Sequence, residues 1–217
     1  MSYVAIPDGR IYFCNGQVHG YIKDNVVHPI PAVSLDVKLK IPLPMGTHVE
    51  FYRSRLYVGS GKTMFVSDAA ALDRVSMDSP ANGFRQFDSD ITMIRAVDDG
   101  LFVSTGKGTY SIGGDVFETA TMVKVSDSSA IPFTDGIVKY NYTVEGIFKY
   151  NYTEGGQSKT IGKAAMWLST TGICRGLNGG RFENLTNTKM NLSPLQNGTG
   201  CHIVGGGMNH YVVINYD

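Results

Sequence analysis

Residues 49–67, VEFYRSRLYVGSGKTMFVS, hold two alternating apolar runs, Arg55-Leu56-Tyr57-Val58 and Thr63-Met64-Phe65-Val66, on either side of Ser60-Gly61. A period of two is the pattern of a half-buried strand, and the glycine supplies the positive φ that a short hairpin turn needs. The stretch predicts two antiparallel strands, and it recurs. Ile11-Tyr12-Phe13, Leu56-Tyr57-Val58, Leu101-Phe102-Val103, Ile173-Cys174 and Tyr211-Val212-Val213 mark the equivalent strand in five copies. The first three are about 45 residues apart, the period of a four-stranded propeller blade. Polar turns keep register before that strand, at Asp8-Gly9-Arg10, Arg53-Ser54-Arg55 and Asp98-Asp99-Gly100. They also keep it afterwards, at Asn15-Gly16, Ser60-Gly61 and Thr105-Gly106, with Asn178-Gly179 one residue late as a bulge or longer turn would produce. The expectation is an all-β, propeller-like array of about five four-stranded antiparallel repeats, the last incomplete. It forms a single domain over residues 1–217 with an inserted hairpin at about 130–160.

Gly59-Ser60-Gly61-Lys62-Thr63 looks like the end of a phosphate-binding loop. That loop needs a glycine where Leu56 stands, and a helix after the lysine whose N-terminus meets the phosphates. A strand pattern follows instead, and the third copy carries Gly106-Lys107-Gly108-Thr109 at the equivalent place. The motif reads as a hairpin turn.

Taken in order, the first copy is a four-strand meander, YVAI, RIYFC, QVHGYI and VVHPI, with turns at Asp8-Gly9, Asn15-Gly16 and Asp24-Asn25. Residues 29–44 carry proline at both ends and alternation over 33–39, which predicts an edge strand or an extended connection. The second copy continues through DAAALD at 68–73, too short for more than one helical turn, to Arg74-Val75-Ser76-Met77, followed by a loop over 79–83. The third copy supplies ITMIRAV, LFVST, GTYSIGG and ETATMVKVS. The rhythm then breaks at a near-tandem duplication, GIVKYNYTVE at 136–145 and GIFKYNYTEG at 146–155. Val138, Tyr140 and Tyr142, answered by Phe148, Tyr150 and Tyr152, would line one face of a long hairpin turning near Glu145-Gly146. Two readings stay open. One is a strand pair that widens a blade; the other is a protruding arm whose aromatic face docks on a neighbouring subunit.

The fourth copy, residues 163–186, holds the only tryptophan, Trp167, expected in the core. The fifth, residues 202–215, stops after two strands. A half blade cannot close itself, so it should pair with the N-terminal strand, with the 29–44 insert or with another chain. The candidate interface residues are therefore Tyr140, Tyr142, Tyr150, Tyr152, Tyr211 and Val213.

Lysine plus arginine equals aspartate plus glutamate at 19 each, so no general basic surface argues for nucleic acid. Cys14, Cys174 and Cys201 show no paired spacing and read as reduced, small apolar residues rather than a disulfide framework. The N-terminus, MSYVAIPDGR, has no basic segment leading into an apolar one, and no window approaches the ~20 apolar residues of a membrane span. No catalytic, cofactor or metal site is expected. His19, His28, His48, His202 and His210 form neither HExxH nor a His/Cys cluster. No G-x-S-x-G is present, and Cys201 and His202 would point to opposite faces of a strand. Asp88, Asp90, Asp98 and Asp99 form the densest carboxylate group, at positions where turns ordinarily place aspartate.

The order GRIYFCNGQVHGYI, LPMGTHVEFYRSRLYVGSGKTMFVSDA, ITMIRAVDDGLFVSTGKGTYSIGG and AAMWLSTTGICRGLNGGRFENLT resembles a set of uncharacterised propeller-like proteins encoded among the tail genes of tailed bacteriophages and prophages. The resemblance covers nearly the whole chain, apart from the duplicated Lys-Tyr-Asn-Tyr-Thr. It implies a virion structural protein, a hub, nozzle or adaptor of the tail or head-tail junction, assembled in the host bacterial cytoplasm. Its implied partners are other virion proteins and copies of itself in a ring. The alternative is a carbohydrate-binding propeller, lectin-like or receptor-binding, with its pockets between blades. Its contacts would come from the turn residues Asp8, Arg53, Asp98 and Thr170, which differ chemically from copy to copy where a multivalent lectin repeats them.

Overall fold

The computed structural model describes residues 1–32, 39–69, 71–77, 83–114, 119–142, 151–154, 157–186, 197–205 and 208–216. Four antiparallel sheets follow one another along the chain, and a two-stranded ribbon ends it. The first sheet is the expected meander of β1 (Ser2–Ala5), β2 (Ile11–Cys14), β3 (His19–Lys23) and β4 (Val26–Pro29). Asp24 and Asn25, with φ of 51° and 62°, close β3 onto β4 with two left-handed residues, the turn geometry that matches strand twist.

The alternating segment 33–38 lies outside the described residues, and β5 (Lys40–Pro42) follows it. The second sheet contains β6 (His48–Tyr52), β7 (Arg55–Ser60) and β8 (Thr63–Val66), so the glycine-rich GSGKT stretch is a hairpin with Gly61 at φ 54°. Its continuation departs from the sequence reading. Within DAAALD, Asp68 and Ala71 form an isolated bridge, and β9 (Arg74–Ser76) leaves the sheet to pair with β5. The outer strand is instead β10 (Phe84–Gln86), against β8. Burial explains the detour: Val75 is fully enclosed with Ile6, Leu43 and Leu72, a gain of about 1.5–3 kcal/mol for such a side chain. Asp68 fixes it, accepting the Ser76 hydroxyl at 2.8 Å and pairing with Lys40.

The third sheet, β11 (Ile91–Ala96), β12 (Gly100–Thr105), β13 (Gly108–Gly113) and β14 (Thr121–Ser126), matches its four predicted runs. The fourth contains β15 (Gly136–Tyr142), β16 (Asn151–Glu154), β17 (Gln157–Ser169), β18 (Gly172–Leu177) and β19 (Arg181–Asn184), with a 3-10 turn at Asn178–Gly180. Its order is β15-β17-β18-β19, with β16 also on β17. The two duplicated segments thus pair with β17 rather than with each other. Tyr142 and Asn151 both face Thr160, one on each edge of β17. The proposed turn at Glu145-Gly146 and Phe148 lie outside the described residues. Because β15 enters first, Ile173 sits in the third strand of its sheet, one strand later than the repeat alignment placed it. The ribbon is β20 (Asn197–Gly205) with β21 (Met208–Tyr216).

Successive sheets stack face to face. Tyr12, Cys14, Val49, Leu56 and Val58 pack the first sheet on the second. Tyr57, Met64, Val66, Ile94, Leu101 and Val103 pack the second on the third. Met93, Phe102, Ala165, Trp167 and Cys174 pack the third on the fourth, with Trp167 fully buried and its ring 5.8 Å from that of Phe102. Leu168, Ile173 and Val213 join the fourth to the ribbon across Ile131. The architecture is a propeller-like array of four-stranded repeats with an incomplete last one, and it is not closed: no strand of the first sheet pairs with β20 or β21. Among the described residues no helix is long and apolar enough to cross a membrane.

Candidate functional site

Two features stand apart from ordinary sheet packing: a buried ionic cluster where three repeats meet, and the terminal ribbon. The cluster is centred on Arg95 of β11. Its Nη1 donates to Glu50 Oε2 at 3.1 Å, and its Nε lies against the Asp135 carboxylate as an ion pair without a directed hydrogen bond. Glu50, on β6, also accepts the Phe51 N–H at 2.9 Å and the Ala96 N–H at 3.3 Å. All three charged side chains are nearly out of contact with water. Burial raises the Glu50 carboxyl above its ordinary range, while the guanidinium and two amides pull it back. Arg95 is raised despite burial, because both carboxylates favour its charged form. Beside them His48 is buried and stacked on Phe133, ring centroids 5.2 Å apart. Loss of hydration lowers its pKa from 6.5 to about 4, so it is neutral near pH 7.

Asp135 arrives on the connection that joins the third sheet to the fourth. Phe133 there has φ 63°, a conformation that costs a non-glycine residue on the order of 1–3 kcal/mol. The connection is held by Ile131 N donating to Leu168 O at 2.9 Å, and by the Thr134 hydroxyl, which donates to Ile131 O at 2.7 Å and accepts Leu168 N–H at 3.2 Å. Glu50 and Arg95 stand one repeat apart, at 45 residues. That equivalence, with opposite charge, was the signal in the sequence; the sequence reading passed over all three charges.

The ribbon sits on the same connection. Gly200 N–H donates to Phe133 O at 3.2 Å, and the Tyr211 hydroxyl donates to Thr134 O. Tyr211 and Val213 therefore lie on the face turned toward the body of the protein. Cys201, Ile203, Val212 and Ile214 point the other way and are exposed. Of the other nominated interface residues, Tyr140 and Tyr142 belong to β15, Tyr152 to β16, and Tyr150 lies outside the described residues.

The remaining polar candidates serve local structure. Asp98 accepts Lys163 N–H at 3.0 Å and Asn178 Nδ2 at 3.1 Å, and Asp99 accepts Gly179 N–H at 2.8 Å, tying the third sheet to the fourth. Asp88 faces Lys107 at 3.9 Å, and Asp90 O accepts Gly106 N–H at 3.0 Å. Asp8 pairs with Arg10, Arg53 lies over the Tyr52 ring, and Thr170 N–H donates to Ser129 O. The Asp8, Arg53 and Thr170 contacts are separate ones. Burial pushes the Cys14 and Cys174 thiols up to about 12 and about 11, so neither is a ready nucleophile. Among the described residues no group of His, Cys, Asp and Glu is arranged to hold a metal ion. A cleft of about 480 Å³ lies between the third and fourth sheets, lined by Val97, Asp99, Ser111, Val123, Val125 and Gly179 among others. No protein-family model matches the chain, and no curated protein matches it.

Proposed function

We propose that the chain is a structural protein of a bacteriophage particle, a hub, nozzle or adaptor of the tail or head-tail junction, and that it acts through protein-protein contacts rather than catalysis. The observation that carries this reading is the ribbon, a half repeat whose outer face exposes Ile203, Val212 and Ile214. An uncovered apolar face with open strand edges is a surface for another chain. The resemblance of the repeat blocks to tail-gene products supplies the particle. Location in the virion, after assembly in the host cytoplasm, belongs to the same proposal. Mass spectrometry or antibody labelling of purified particles tests it, with the protein expected in intact virions. Its absence from them overturns the reading. The carbohydrate-binding alternative would use the cleft between the third and fourth sheets. Among the described residues that line it there is no aromatic ring, the platform on which a sugar face packs. Binding on a glycan array would revive this alternative.

A further inference from the structure

Within the chain each internal sheet packs apolar residues against both of its neighbours, although outer strand β14 leaves Met122 and Val123 exposed. The first sheet turns Tyr12, Cys14 and Tyr21 toward the second. Strand register places Tyr3, Phe13 and Pro29 in one row of its opposite face, and Ile11, Ile22 and Val27 in another. No charge stands in either row, yet Tyr3 is 60% exposed, Ile11 41% and Val27 64%. A solvated face of an antiparallel sheet carries polar residues at alternate positions. This one has the composition of a core face that lacks its neighbour. The far end of the stack has the same defect: on the ribbon, Ile203 is 48% exposed and Ile214 60%. The first sheet's outer face has no charge, and on the ribbon's outer face Thr199 and His210 stand beside exposed Ile214 and Ile203, so both faces offer apolar area to a further repeat.

We infer that the two end faces are partners between copies of this chain: the outer face of the first sheet receives the outer face of the β20–β21 ribbon of the next copy, head to tail. The contact continues an arrangement already present, since the ribbon's inner face packs on the fourth sheet as each sheet packs on the next. Among the described residues the two faces stay apart, with no pairing between them and with Tyr3, Ile11, Val27, Ile203 and Ile214 exposed. The areas are comparable. Four strands of about four residues present roughly 19 by 13 Å, about 250 Å², and a nine-residue ribbon roughly 10 by 30 Å, about 300 Å². Each is well below the ~800 Å² per partner of a stable pair. A single contact is therefore weak, and closure into a ring, where every copy makes two contacts, is what holds the assembly.

This deepens the structural-component reading and rests on it only for the use of such a ring. It is tested on the isolated chain, so absence from particles and absence of self-association are separate failures. Light scattering after size exclusion should show the wild-type chain forming concentration-dependent oligomers. Val27→Glu and Ile214→Glu should each abolish them, with circular dichroism and melting unchanged. Mixed in equal amounts, the two variants should form nothing larger than a weak dimer, because one intact sheet face then meets one intact ribbon and no ring can close. If either variant melts early, Ile11→Lys or Ile203→Lys takes its place. A wild-type chain that stays monomeric at its highest soluble concentration overturns the inference. So does a Val27→Glu chain that associates like wild type, which would mean the ribbon pairs with itself, or a mixture of the two variants that forms oligomers larger than a dimer.

Discussion

Gly61 and Gly108 have φ of 54° and 136°, whereas Gly106, at the repeat position of Gly61, keeps a φ that any residue adopts. Repeat alignment predicts the same strain at 61 and 106; in the third copy the left-handed residue has moved two places along. Gly61→Val should cost about 1–3 kcal/mol, the strain of a β-branched residue at positive φ. Gly108→Val should cost more, since its Cβ also meets the Ser126 carbonyl and Lys124. Gly106→Val reaches only Ser89, at 3.5 Å, and should change stability by less than about 0.5 kcal/mol. Denaturation midpoints in that order check the turn geometry. His48 gives a pH test. Between its ordinary value of 6.5 and about 4, the unfolded chain takes up a proton that the folded protein refuses. Stability should therefore fall as pH drops through this window, by up to roughly 3 kcal/mol. Glu50, raised by burial, has the opposite sign, because the folded state takes its proton first and the burial cost is relieved as pH falls. His48→Phe keeps the stacking on Phe133 and removes the first effect, so the slope of stability against pH should flatten or reverse. The same slope in both proteins would mean that His48 protonates freely when folded.

The first and third sheets were legible because each strand is an alternating run closed by a glycine, asparagine or aspartate turn, and their boundaries follow from those signals alone. The outer strand of the second sheet was not. Phe84–Gln86 is three residues long, and the nearer run, Arg74–Ser76, is drawn away by the burial of Val75, a tertiary effect that no local pattern records. The fourth sheet misled for a different reason: a duplicated sequence suggests two halves that pair with each other, yet the first half is built into the sheet as β15, with Ile137 against the Trp167 cluster. The halves should therefore tolerate removal unequally. Replacing residues 151–154, four residues paired at one edge of β17, with a Gly-Ser linker should lower the melting temperature only slightly. Deleting residues 136–142 removes seven paired residues and an apolar contact, and should lower it by several degrees or prevent folding. Equal losses from the two deletions would count against β15 as the load shared by the fourth sheet.

Across the molecule, stability is set by nearest neighbours, each sheet held by the one before and the one after, as in other repeat stacks. The Glu50–Arg95–Asp135 cluster is the polar counterpart of those apolar contacts: one guanidinium ties the first strands of the second and third sheets, β6 and β11, to the connection that enters the fourth. Buried ion pairs seldom add net stability over an apolar replacement, but breaking one is expensive because it strands a charge. Arg95→Met leaves two carboxylates without a counter-charge, with side-chain exposures of 7% for Glu50 and 4% for Asp135. The loss at neutral pH should be on the order of 3–5 kcal/mol. Part of it should return as the pH falls, where Glu50, raised by burial, takes up a proton and the repulsion between the two carboxylates ends. Combining Glu50→Gln, Arg95→Met and Asp135→Asn removes every charge at once and should recover most of the deficit, restoring the midpoint of chemical denaturation toward wild type. A triple variant as unstable as Arg95→Met, with no recovery at low pH, would mean that the arginine acts through the packing of its stem. The junction would then be held by shape, and charge would have no part in fixing how the second, third and fourth sheets meet.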